Sequence, residues 1–155
     1  MILIADSSAL VAIAIVDKLE ILDKLFGKVL IPRAVYDEIT IENREESKKL
    51  SNYTKDRVED ISSKINFNIT LGRGESEAII LYKEKNADFL LCDDKKAKKF
   101  AQNFGINVVG SLGILLKAKD KGLIEEIKPL IAILKSSKVF IDDKIYNIIL
   151  ELAGE

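Results

Sequence analysis

The chain contains no histidine and no tryptophan, and cysteine occurs once. Without histidine there is no Ser/His/Asp hydrolase triad, and the usual nitrogen ligands of zinc are missing. The lone Cys92 excludes an internal disulfide and a cysteine-rich zinc site, and it suits a reducing compartment. Proline occurs twice and glycine eight times, with no low-complexity tract, repeat or linker. Charge of neither sign dominates, because 24 Lys+Arg against 25 Asp+Glu leave a net charge of −1. A polyanionic partner must therefore be held by a local basic patch or through metal ions. No apolar run is long enough to span a bilayer. Residues 1–16 are apolar, but no basic stretch precedes them and Asp6 interrupts the run, so the expectation is a cytoplasmic protein without a leader.

What is present fits one domain over residues 1–155, with 48% hydrophobic residues to fill a core. MILIA (1–5), KVLI (28–31) and DFLLC (88–92) are short continuous apolar runs of the kind buried on both faces of a parallel sheet. Asn107–Val109 is a further short strand, and INFNI (65–69) alternates like an edge strand. Helices follow each run, several of them stopped by Gly27, Gly105 and Gly122. The spacing predicts helices near 18–26, 75–85, 95–104, 111–121, 125–134 and 142–152. Residues 42–64 are highly charged with sparse apolar positions, and read as an exposed helical arm or lid. Strands alternating with helices predict a three-layer α/β/α sandwich around a central parallel sheet of four or five strands.

Acids recur where a strand ends or a helix begins: Asp6, Glu38, Glu75, and the adjacent Asp93 and Asp94. Open parallel sheets bind ligands outside the carboxyl ends of their strands, which places Asp6 and Asp93 on one rim. Glu38 lies at the margin of the apolar stripe of its helix, and Glu75 in the first turn of the next. Each acid alone has a plainer use as a helix cap or first-turn residue. Together they repel one another unless a cation neutralises them. Oxygen ligands without histidine suit Mg²⁺ or Mn²⁺, one ion or two, and hence hydrolysis of phosphate esters. Arg73, Lys95, Lys96 and Lys99 are candidates for holding a nucleic-acid backbone, against the plainer reading of a solvated helix face. The stretch GRGE (72–75) lacks the third glycine of a dinucleotide fingerprint, and no Walker lysine motif occurs.

IADSSALVAIA, IPRAVYDEI, GRGESEAIILYKE, LLCDDKKAKKFA and INVVGSLGILLKAKDKGLI, with a terminal ELAGE, occur in this order along nearly the whole chain. Read together they resemble the PIN-domain nucleases, in the prokaryotic branch related to VapC-type toxin ribonucleases. The resemblance implies metal ligation by Asp6, Glu38, Glu75 and either Asp93 or Asp94, with Asp93 preferred because Asp94 is better placed to cap the next helix, and with Ser7 and Ser111 as small hydroxyls beside the metal. It also implies Mg²⁺- or Mn²⁺-dependent hydrolysis of RNA, a homodimer, and a small antitoxin partner as in VapBC pairs. The alternative is a catalytically inactive PIN-like protein acting as a binding or scaffold module.

Overall fold

The computed structural model describes residues 1–41, 43–65, 67 and 70–155. Its strands are β1 (Ile2–Ala5), β2 (Lys28–Pro32), β3 (Val58–Glu59), β4 (Phe89–Leu91) and β5 (Val108–Val109). They form one parallel sheet in the order β3-β2-β1-β4-β5. The first strand of the chain is thus the middle strand of the sheet. From β1 the chain winds outward to β2 on one side, and β4 begins the other half. The order reverses between β1 and β4, and a crevice opens there at the carboxyl ends.

Alternation along the strands fills both faces. Leu3, Ala5, Val29, Ile31 and Leu91 point into one apolar layer, whereas Ile4, Leu30, Leu90 and Cys92 point into the other. The first layer holds α1 (Ser7–Ile15), α2 (Glu20–Phe26), α3 (Arg33–Ile41), α7 (Ser111–Asp120), α8 (Lys128–Ser136) and α9 (Asp143–Ala153). The second holds α5 (Arg73–Glu84) and α6 (Lys95–Asn103). This is the α/β/α sandwich expected from the apolar runs. Fully buried runs such as MILIA need helices over both sheet faces, because each face presents a row of Leu, Ile and Val.

The charged stretch 42–64 differs from the exposed arm expected of it. It holds α4 (Ser47–Thr54), whose Leu50 is fully buried, and then β3, which pairs with Ile31 and Pro32 of β2. The edge strand expected at 65–69 falls partly outside the described residues, since 66, 68 and 69 are not among them; Ile65 and Phe67 are not in a strand. The helix expected at 125–134 starts at Lys128, with Pro129 in its first turn, where a missing N–H does no harm. Its leading amides are capped from a distance. Ile127 and Lys128 donate to the Glu155 carboxylate at 2.8 and 3.0 Å, and Lys119 adds an ion pair at 2.9 Å. Among the described residues no helix is long and apolar enough to cross a membrane.

Candidate active site

Asp6 is the residue immediately after β1. Its N–H donates to the carbonyl of Leu91 at 2.9 Å, which carries the β1–β4 ladder one residue further and fixes Asp6 at the crevice. The residue stands at the N-cap of α1, yet its side chain caps nothing. It is 2% exposed. The Cys92 thiol donates to Oδ2 at 3.7 Å, and Oδ1 is buried with no hydrogen-bond partner. Burial pushes its pKa up to about 7; the negative charges of Glu75 and Glu38 add to this, and the nearby Ser7 amide opposes it. A buried carboxylate oxygen without a donor is an unfavourable arrangement unless a cation faces it.

Asp93 and Asp94 have different surroundings, and Asp94 takes the capping place that the sequence expected of it. Asp94 caps α6, with Oδ1 accepting from the Ala97 N–H at 2.7 Å. Asp93 instead reaches across to the start of α7. Its Oδ1 accepts from the Ser111 N–H and its Oδ2 from the Ser111 hydroxyl, each at 2.7 Å. Ser111 is buried, and so it holds the Asp93 carboxylate in one orientation.

Glu38 projects from α3 toward the first turn of α5. A methyl group built on Gly74 would lie 2.6 Å from Glu38 Oε1, so only glycine leaves room for this carboxylate. The two helices are locked together nearby, where Glu77 accepts from the Ala34 N–H at 2.8 Å. Glu75 lies one residue further along α5. Its carboxylate folds back over Gly72 at the start of its own helix, and it reaches Asp6 through its charge.

Glu38, Asp93, Ser7 and Ser111 line one cavity of about 680 Å³ beside Asp6. Lys95 and Lys98 line it as well, one helical turn apart on α6. Lys96 and Lys99 are exposed and are not among the lining residues. Arg73 is also outside the lining; it pairs loosely with Asp37 at 3.8 Å and Glu77 at 3.5 Å. Gly110 gives clearance here too, since a methyl group on it would sit 2.9 Å from both Asp93 Oδ1 and Lys98 Nζ. Among the described residues no three Asp, Glu, Cys or His side chains form a ready-made ion cage.

A family model described as PIN domain matches residues 2–155. The chain belongs to the PIN domain family. This PIN domain is similar in fold to a PilT N-terminus domain protein, SSO1118, from the hyperthermophilic archaeon Sulfolobus solfataricus P2. The two are 24% identical with a TM-score of 0.60, over 76% of this chain and 93% of the other. A domain of a functionally unknown protein from Methanocaldococcus jannaschii DSM 2661 aligns at 22% identity and a TM-score of 0.49, over 70% of this chain and 89% of that one. No curated protein matches the chain.

Sequence reading missed Gly74, Gly110 and Glu77 as parts of this PIN domain's candidate site. A glycine in the first turn of a helix is unfavourable by propensity and is a signal of close approach. Nothing in the order of residues says what approaches. Lys98 was visible only as one of four lysines on α6, and the direction each one faces depends on how α6 docks.

Proposed function

We propose that this PIN domain is a Mg²⁺- or Mn²⁺-dependent ribonuclease that hydrolyses RNA phosphodiester bonds. The observation that carries the reading is buried Asp6, whose unpartnered oxygen lies at the sheet crevice close to two further carboxylates. An oxygen-only donor set suits a hard divalent ion. Mg²⁺ in particular commonly takes one or two carboxylates, retains waters, and completes its shell with substrate phosphate. Asp6, Glu38 and Asp93 would hold the ion, with Glu75 contributing charge from α5. A bound divalent ion supplies an acidified water and screens the charge that builds on phosphorus.

The protein groups have separate tasks. Cys92 holds Asp6 Oδ2, which leaves Oδ1 free to face a cation. Ser111 fixes Asp93, so its carboxylate needs little reorganisation during turnover. Lys95 and Lys98 bring positive charge to the cavity wall, where a phosphate can be held against the repulsion of the acids. Burial of Asp6 and Cys92 excludes bulk water from their contact and strengthens it.

Asp6→Asn is the decisive variant. It preserves shape and removes charge, so Mn²⁺-stimulated cleavage of an RNA pool falls to background while the melting curve stays cooperative. Cleavage at the parental rate in a rigorously purified preparation would reject the reading. The same proposal extends to a toxin in a VapBC-type pair, working as a homodimer and restrained by a small antitoxin. Growth arrest on expression of the parent, relieved in Asp6→Asn, tests that extension.

The alternative is a catalytically inactive PIN-like protein that acts as a binding module. Calorimetry near neutral pH separates the two, because the inactive module takes up no Mn²⁺.

A further inference from the structure

Phe140 is 83% exposed, more than any other large apolar side chain among the described residues. It lies between α8 and α9 on the wall of the cavity that Glu38, Asp93 and Ser111 line. The segment carrying it is tied at both ends. Lys138 has a positive φ of 62°, and the Val139 N–H donates back to the Leu134 carbonyl at 3.0 Å. On the other side Asp142 caps α9 by accepting from the Lys144 and Ile145 amides. Val139 and Ile141 pack against the core, and Phe140 between them stands out into solvent. The ring is therefore presented by its anchored neighbours.

We propose that Phe140 is a base-stacking subsite, on which a nucleobase of single-stranded RNA rests while Lys95 and Lys98 take an adjoining phosphate. The substrate class rests on the nuclease reading above. Three observations favour this occupant. The cavity volume of about 680 Å³ lies within the range of small-molecule sites, roughly 300–1,000 Å³, so there is room for a nucleotide. Lys95, Lys98 and Lys138 line the same cavity as the ring, beside the acids Glu38, Asp93 and Asp142 and a largely apolar floor, so a phosphate finds cationic partners there and a base finds apolar surface. An exposed aromatic with lysines near it is also the usual equipment for gripping single strands, because every base offers a π-face. A duplex keeps those faces stacked on one another and gains nothing from Phe140.

The test uses the Asp6→Asn protein in EDTA, so that RNA is bound without being consumed. Anisotropy of a short fluorescein-labelled single-stranded RNA of mixed sequence gives the affinity, and the same strand in a blunt duplex is the control. Phe140→Ala should weaken single-strand binding by about fivefold or more, Phe140→Trp should retain it, and duplex binding should not change. Thermal melting confirms that the exposed ring can be removed without loss of fold. Equal affinities for parent and Phe140→Ala would overturn the proposal and assign the ring to a protein partner instead. So would equal losses on single strand and duplex, or no single-strand binding by the parent. The nuclease reading fails separately, through undiminished cleavage by Asp6→Asn, whatever the anisotropy gives.

Discussion

A carboxylate sealed from water with no cation beside it keeps its proton toward neutral pH, and Asp6 is held in this way. In the ion-free protein the folded state retains that proton after the unfolded chain has released it. Folding then takes up a proton between pH about 4 and 7, so stability falls as pH rises through this window. The loss attributable to Asp6 is about 4 kcal/mol at most, taking about 1.4 kcal/mol for each pH unit between the two pKa values. Urea unfolding in EDTA across that range should show the decline in the parent and not in Asp6→Asn. Mn²⁺ should restore stability at pH 7.5, and its affinity should rise with pH until Asp6 is ionised. Asp6 and Asp93 were legible because an acid directly after a buried strand has one rim to occupy. Asp94 was legible as the cap of the following helix, and its Oδ1 accepts from the Ala97 N–H.

Between α3 and α5 the place of the Glu38 carboxylate depends on a single absent methyl. Gly74→Ala should fold as well as the parent or better, gaining up to about 1 kcal/mol from helix propensity. Glu38 must then swing aside, so Mn²⁺ affinity and cleavage should fall while the melting temperature holds or rises. A matching loss of stability would show that Gly74 serves packing and not the site. At the start of α8 the expectation has the opposite form. Glu155 is held down to about 2, first by the Ile127 amide and then by those of Lys128 and the Lys119 ammonium. Its contribution is present above the ordinary glutamate pKa and fades as pH falls from about 4.5 toward 2. Glu155→Gln should therefore melt below the parent at pH 7, with the gap closing in acid. Element identity was legible wherever an apolar run or a helical stripe was long enough to have a period. β3 lies in a charged stretch without an apolar run; it is a strand because Ile31 and Pro32 of β2 lie alongside it.

The whole molecule is nearly neutral, and few of its cations line the cavity. With Lys95, Lys98 and Lys138 as the phosphate contacts, log K for single-stranded RNA should fall against log salt with a slope of about −2. A much steeper slope would mean that a wider surface, such as Lys96, Lys99 and Arg73, also contacts the strand. The layer order was readable from the alternation of strands and helices. The cavity was not, because its walls come from α1, α3, α6, α7 and α9, and no local pattern records how these meet. The central placement of β1 has a consequence in time. During translation β1 emerges from the ribosome well before β4, with one edge of its hydrogen-bonding ladder still unfilled. Asp6 and Asp93 cannot share the carboxyl end of the sheet until Phe89–Leu91 has been made and docked. The candidate site is therefore incomplete until more than half of the polypeptide has been synthesised.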